Sequence, residues 1–312
     1  MPNSLALHRR LTMCWICTVI AITTMLSACT PPPQETQETR FMMGTIVVFT
    51  VMSNDEAAAQ QAISTAASAM QAIEQQMTIY GEHHNAVKRF NRSAPGQAVT
   101  LPPALDGLLR QAMMVSQASN HAFSPALGAL DLLWGFSSPQ PLQQPPADAA
   151  IQALIAKPLT GCLVRGDDHR WLRSYAACML DLGGIAKGYA LDQGMAVLQQ
   201  HGMVNAMINA GGDIRLSGLH GERPWRIGIR DPQRQGSVVG VLELSGNQSV
   251  VTSGDYERFF IWHGTRYHHI LDPHRGYPAM VAHSSTIIAP TATLADAWST
   301  ALFVAGSSLL PT

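Results

Sequence analysis

The sequence predicts an α+β fold: mixed, largely antiparallel sheets with packed helices, in two closely joined subdomains. Two observations carry that expectation. From Cys162 onward the chain is a succession of short β-rich runs broken by one helical segment, whereas amphipathic helical patterns collect in the first half; this is segregation of helices and strands rather than a regular βαβ repeat. Hydrophobic residues make up 46% of the 312 positions and charged ones 13%, enough apolar material for one large core or two joined ones. No internal repeat is evident. The formal net charge of -1 leaves no basic surplus, so the chain is not read as binding nucleic acid.

Residues 1–28 read as a signal peptide. His8, Arg9 and Arg10 precede the apolar run LTMCWICTVIAITTMLSA, which ends in small side chains. LSAC, Leu26 to Cys29, looks like a bacterial lipobox, with Cys29 as the lipidated first residue of the mature protein. The rival reading is an uncleaved membrane anchor, because the run approaches spanning length. Both put the body outside the cytoplasm, facing the periplasm and attached to an inner or outer membrane of the cell envelope. Residues 29–39 are Pro-rich and polar and are expected to be a tether, leaving 40–312 as the folded domain.

FMMGTIVVFTV, Phe41 to Val51, opens the globular part as a strand. DEAAAQQAISTAASAMQAIEQQM follows as a long amphipathic helix, with Asp55 and Glu56 in its first turn and Ile63, Met70, Ile73 and Met77 on one buried face. Helices are predicted around 103–119 and 125–134, where Pro103 and Pro125 suit first turns. FSSPQPLQQPPADAA is a surface excursion between subdomains, followed by a short helix. Then come the β-runs CLVRG, HRWLRS, ACMLDL, VNAMINA, DIRLSG, PWRIGIR, VVGVLELS, QSVVTSG, RFFIWH, RYHHILD and HSSTIIA, interrupted only by GGIAKGYALDQGMAVLQQHG as a helix of about five turns. Cys162 and Cys178 flank a hairpin pattern and could pair in an oxidising compartment.

Several strings could carry chemistry. In LDLGGIAKGYALDQG a strand ends at Asp181, Gly183 and Gly184 open a helix, and Lys187 falls on its first turn; glycines there admit a ligand close to the backbone and the helix N-terminus favours anions. The alternative is an ordinary strand-to-helix turn with a solvated lysine. NAGGDIRLSG and TSGDYERFF are turn patterns, the latter placing Asp255 between two strands. In RYHHILDP, His268 and His269 face opposite sides of a strand, so at most one enters a given site. In TLADAWSTALFVAG, Asp296 and Thr300 are one helical turn apart and share a face. A carboxylate and a hydroxyl are hard oxygen ligands suited to Mg²⁺. The competing reading is a first-turn Asp favoured by the helix N-terminus and a Thr bonded back to its own helix. No His-x-His or Cys-His spacing supports zinc.

Taken in order, MGT, IYGEHHNAVKRFN, LWGF, LDLGGIAKGYALD, NAGGDI, TSGDYERF, HHILDPHRGYP and APTATLADAWSTALFVAG resemble the ApbE family of FAD:protein FMN transferases, over about Phe41 to Gly306. The resemblance implies FAD bound, as substrate, by Met43, Tyr80, the Ala122, Phe123 and Ser124 segment, Asp181, Lys187 and Leu271. It implies Mg²⁺ held by the Gly184 carbonyl, Asp296 and Thr300, and it implies His269 as the group assisting proton transfer, with Asp255 as a neighbour. Some family members carry a second Asp where Ser299 stands. The implied reaction moves FMN from FAD to a threonine hydroxyl of an acceptor protein and releases AMP; acceptors are flavoprotein subunits of membrane redox complexes. An FAD-storage lipoprotein and a Mg²⁺-dependent FAD pyrophosphatase would need the same pocket. The family continues past the last helix with further helix and strand, whereas this sequence ends at SSLLPT, so an open sheet edge is expected.

Overall fold

The computed structural model describes residues 32–310 except His83, Pro139 and Gln235. The signal peptide, Cys29 and the start of the tether lie outside the described residues. Residues 34–312 form one compact unit. Its centre is a six-stranded sheet in which every neighbouring pair is antiparallel, in the order β1 (Gln34–Met42), β2 (Thr45–Ser53), β6 (Ala206–Ala210), β7 (Asp213–Ser217), β10 (Gln248–Gly254) and β13 (Ser284–Ala289). β13 is an edge strand of that sheet.

The first strand corrects the tether boundary. Pairing runs from Gln34 opposite Ser53 to Met42 opposite Thr45, so residues 34–39 are part of a ladder. Their polarity reflects an edge position, where one row of backbone groups and most side chains face solvent.

Helix α1 (Glu56–Met77) starts where Asp55 accepts the Ala58 N–H at 2.9 Å, and it ends at Thr78. Its buried stripe of Ala59, Ala62, Ile63, Ala66 and Met70 packs with Val47, Phe49 and Val51 of β2 and with Leu191, Met195 and Leu198 of α6 (Ala186–Gln200). Small alanines let the two helices approach each other, and burial of each large side chain contributes about 1.5–3 kcal/mol.

A second core joins α2 (Ala86–Arg92), α3 (Pro103–Ala118) and a small sheet of β3 (Val99–Thr100), β5 (Arg170–Arg173) and β4 (Leu163–Arg165). It centres on Phe90, Leu105, Leu108, Leu109 and Trp171, and the Cys162–Cys178 disulfide lies within it. A third, aromatic cluster gathers Trp134, Phe136, Phe260, Tyr267 and Tyr277 around α4 (Gly128–Trp134), α5 (Asp148–Ile155) and the hairpin of β11 (Phe259–Trp262) and β12 (Thr265–His268). The hairpin of β8 (Trp225–Arg230) and β9 (Val238–Leu244) packs Trp225 and Ile227 against Ile214 and Leu216 of β7.

ACMLDL is not a strand of any sheet. It forms a lone bridge from Met179 to Leu127, the Asp181 N–H donates to the Pro125 carbonyl, and the Asn91 side chain both donates to the Leu180 carbonyl and accepts its N–H. A side-chain amide thus replaces a neighbouring strand. Among the described residues no helix is long and apolar enough to cross a membrane.

Candidate active site

The turns β1–β2 and β6–β7 and the C-terminal end of β10 meet at one end of the large sheet, and a cavity of about 630 Å³ opens there. Met43, Gly44 and Thr45 line it from the first turn, Gly211 and Asp213 from the second, and Thr252 to Gly254 from β10. The facing wall comes from Tyr80, Asp131, the Phe136–Ser138 loop, the Asp181–Gly184 turn, Lys187, His269 to Leu271, Asp296 and Thr300. Met43 adopts a positive φ of 55° and Gly44 one of 68°, the mirror-image two-residue turn that fits the twist of antiparallel strands. Asn, Asp or Gly is usual at the first position and Gly at the second, so a methionine at the first is a conformational cost, and it sits on the wall of the cavity.

The floor is built by a reciprocal clasp between α6 and α7 (Ala292–Ala305). Asp192 of α6 accepts the N–H groups of Ala292 and Thr293 at 3.0 and 2.8 Å and the Thr293 hydroxyl at 2.6 Å. In the other direction Asp296 of α7 accepts the Gly188 N–H at 2.8 Å. Each helix start is therefore capped by a carboxylate of the other. The crossing needs Gly188, because a Cβ there would fall inside the Ala292 carbonyl. Asp296 lies beyond the first turn of α7, which contains no acidic residue, so the self-capping reading of this carboxylate is corrected. The hydroxyl that bonds back within α7 is that of Ser299, to the Asp296 carbonyl at 2.9 Å; the Thr300 hydroxyl instead lies 3.4 Å from Ser253 Oγ.

This clasp also frees a carbonyl. In an uninterrupted helix start, the Gly188 N–H would bond to Gly184; here it is diverted to Asp296, and the Gly184 carbonyl accepts no hydrogen bond among the described residues. A Cβ built on Gly184 would come within 3.3 Å of Thr300 Oγ1 and 3.1 Å of the Phe123 ring, so this turn is pressed against α7. The free carbonyl, the second Asp296 oxygen and the Thr300 hydroxyl form a set of hard oxygen donors facing one cavity. Those residues fit Mg²⁺, which keeps waters and takes few protein ligands. Among the described residues no group of three His, Cys, Asp or Glu side chains could hold a metal.

Electrostatics separate the groups by role. Burial pushes the Asp296 carboxyl up to about 7, with Asp213 adding to the rise and Lys187 opposing it. Loss of solvent works against the Lys187 ammonium, but Asp213, with which it forms an ion pair, and Asp296 outweigh this and hold its pKa above the ordinary lysine value. Burial raises the carboxyls of Asp131 and Asp181, and the neighbouring Asp181 charge drives Asp131 well above the usual range. Asp181 is held by the Gly183 N–H at 2.7 Å. Burial, followed by the Arg258, His268 and Lys187 charges, lowers His269 to about 3, so the imidazole is neutral at neutral pH. Its Nδ1 is buried with no hydrogen-bond partner among the described residues, an orphan that a ligand would satisfy.

The predicted residues are therefore mostly brought together. Met43, Tyr80, Ala122, Ser124, Asp181, Gly184, Lys187, His269, Leu271, Asp296 and Thr300 all line the one cavity. Phe123 does not; it is core and backs the Gly184 turn. Asp255 does not either: its carboxylate is committed to Arg266 Nη1 at 2.9 Å and His283 Nδ1 at 2.8 Å, so it braces the β10–β11 turn and is corrected as a partner of His269. His268 turns away and bonds the Ala279 carbonyl at 2.7 Å, the opposite-face arrangement expected for adjacent strand residues.

Sequence reasoning missed Asp131, Asp213, Ser253 and Arg258, all of which line the cavity. It also missed Lys88, whose ammonium donates to the Tyr80 and Gly81 carbonyls at 2.6 and 2.7 Å and so fixes the Tyr80 segment. Asp213 stands directly after the paired glycines of NAGGDI, a signal that could have flagged it.

Comparison with known proteins agrees with this geometry. Residues 43–310 match the ApbE family. The chain is 34% identical over 285 residues to the FAD:protein FMN transferase of Rhodobacter capsulatus, covering 90% of this chain and 54% of the relative. It is 37% identical over 237 residues to that of Treponema pallidum, covering 71% and 65% respectively, so it spans less than two thirds of the length of either curated relative. Among solved structures, the ApbE protein of Thermotoga maritima superposes with a TM-score of 0.78 at 36% identity, covering 87% of both chains. The flavin transferase ApbE of Vibrio cholerae does so with 0.75 at 27%, covering 88% of this chain and 87% of that one. With one cavity gathering motifs from Met43 to Thr300 and a family match over the same span, this chain belongs to the ApbE family.

Proposed function

We propose that this chain is an enzyme that transfers FMN from FAD to a threonine hydroxyl of an acceptor protein, releasing AMP, with Mg²⁺ as cofactor. The observation that carries the reading is the diverted Gly188 N–H, which leaves the Gly184 carbonyl free beside the second Asp296 oxygen and the Thr300 hydroxyl in a cavity that also holds a neutral His269. The relatives' name, FAD:protein FMN transferase, describes transfer of FMN from FAD to a protein and supports that part of the reading. In the transfer, the threonine oxygen bonds to the phosphorus of the FMN half, the bond from that phosphorus to the AMP oxygen breaks, and the hydroxyl proton leaves to a base.

Mg²⁺, when bound, supplies positive charge against the charge that develops on the pyrophosphate. The chain's own residues do the rest. The Gly183–Gly184 turn and the start of α6 present backbone groups where phosphate oxygens are favoured. His269 takes the threonine proton; its lone pair is available because the ring is neutral, and the incoming phosphates raise its basicity. Asp213 holds Lys187 in the cavity wall, and Asp131, whose carboxyl is raised by burial and by Asp181, stands beside Asp181. Met43, Tyr80, Ala122 and Leu271 supply apolar surface for the ring systems.

The resemblance of LSAC to a lipobox supports reading Cys29 as lipidated and the enzyme as held on a periplasm-facing membrane surface of a bacterial envelope, where it would meet flavoprotein subunits of membrane redox complexes. The test is incubation of the mature protein with FAD, Mg²⁺ and an acceptor domain carrying the threonine motif. Gel-stable flavin fluorescence on the acceptor together with AMP is the expected result. AMP with free FMN, or bound FAD with no AMP, would overturn the transferase reading in favour of hydrolysis or storage.

A further inference from the structure

The cavity contains two cations that could meet a pyrophosphate, and they are not equivalent. Lys187 is already neutralised: its ammonium is paired with Asp213 and lies in the field of Asp296. Arg258 is not. It stands at the turn between β10 and β11, lines the cavity and is exposed at its mouth, and among the described residues it has no carboxylate within ion-pair distance. The hydrogen bond that orients its guanidinium goes from Nη1 to the neutral hydroxyl of Ser137, at 2.8 Å, on the facing loop. Its other amino group reaches back over the β1–β2 turn, where Nη2 lies 3.3 Å from the position a Cβ on Gly44 would occupy. The Arg258 carbonyl accepts the His269 N–H at 3.1 Å, which ties the arginine's backbone to the residue read as the base.

A guanidinium stretched across the cavity mouth, held by one weak neutral acceptor, with Asp181 in its field but no carboxylate in ion-pair contact among the described residues, is placed for an anion to displace Ser137. Its planar fork suits two phosphoryl oxygens, which an ammonium cannot match. We propose that Arg258, rather than Lys187, is the residue that grips the phosphates of the dinucleotide, and that Ser137 holds it in its resting position. Lys187 then serves to keep Asp213 and Asp296 in place. The inference rests on the reading that FAD occupies this cavity, and it concerns which residue recognises the phosphates rather than which group reacts.

The test measures binding to the full-length protein without acceptor, by flavin fluorescence for FAD and riboflavin and by calorimetry for ADP. Riboflavin has the ring system but no phosphate; ADP has the diphosphate but no flavin. Arg258→Gln is expected to weaken FAD and ADP by roughly tenfold to a hundredfold, the usual scale for losing a charge-assisted hydrogen-bonded pair, and to leave riboflavin within about twofold. Arg258→Lys, which keeps the charge but not the fork, is expected to fall between. Equal loss of riboflavin and FAD would assign Arg258 to holding the loops and overturn the proposal. So would a Ser137→Ala variant that matched the Arg258→Gln loss, because the bond to Ser137 would then be what matters. If the wild type binds FAD and ADP with this Arg258 dependence yet transfers no flavin, the transferase reading fails and the phosphate assignment stands. If it transfers flavin and Arg258→Gln binds all three ligands normally, the reverse holds.

Discussion

Two buried carboxylates, Asp106 and Asp296, are almost equally hidden from solvent, at 1% and 4% exposure, and they are opposite in character. Asp106, on α3, is surrounded by donors: Arg165 Nε at 3.0 Å, Trp171 Nε1 at 2.8 Å and His169 Nδ1 at 2.8 Å. These hold its carboxyl well below the ordinary range, against the opposing effect of burial. Asp296 has one backbone donor and two carboxylate neighbours, and its pKa rises to about 7. The first is a completed structure that fastens the β4–β5 hairpin to α3. The second is a deficit, a buried oxygen with too few positive partners, and such a deficit marks where a ligand belongs.

The comparison can be broken most sharply by removing each carboxylate in turn. Asp296→Ala is expected to lower flavin transfer by at least about a hundredfold while far-UV circular dichroism stays near wild type, because the lost group serves the reaction more than the fold. Wild-type transfer rates in that variant would erase the distinction. Asp106→Ala should do the converse. It strands Trp171 and Arg165 donors, costs about 2–4 kcal/mol in urea unfolding, and leaves the transfer rate per folded molecule unchanged.

The two also differ in the sign of their pH dependence. A depressed carboxylate stabilises the fold above its unfolded pKa of about 4, and that contribution disappears as the pH falls through its lower folded value. Asp106 therefore sharpens acid unfolding, and Asp106→Asn should blunt it. A raised carboxylate does the opposite, so the metal-free protein loses the Asp296 contribution as the pH climbs from about 4 to about 7. Urea midpoints across that window should decline less in Asp296→Asn than in the wild type; an unchanged decline would place its origin elsewhere, in Asp131 and Asp181. The smallest expected effect is that of Thr300→Ser, which keeps the oxygen donor and should alter transfer by no more than about threefold.

Legibility followed the range of the interactions. Periodicity reports which face of an element is buried, so α1 with its Ile63 and Met70 stripe, and β6 with its alternation, were readable from local pattern. The ACMLDL segment looked like its neighbours but found its hydrogen-bond partner in the Asn91 side chain, 89 positions away from Leu180, which no local pattern encodes. The edge strand at 34–39 was hidden for a different reason: with so many side chains in solvent it carries no apolar alternation. At the site, the i, i+4 spacing put Asp296 and Thr300 on one face, but it could not say that the carboxylate caps a neighbouring helix. Asp213 and Arg258 escaped notice because their significance depends on what stands across the cavity, Lys187 for one and Ser137 for the other.

The central sheet inserts β2 between β1 and a strand that begins at Ala206, and the cavity it frames draws on residues from Met43 to Thr300. The first hairpin therefore pairs with a strand distant in sequence, and the site is complete only once α7 has docked against α6, so non-local contacts govern its assembly. A chain in which α7 has not docked therefore lacks part of the cavity wall. On the proposed function, a change that delays docking of α7 will show itself as slow acquisition of FAD binding in a chain whose other parts have already folded.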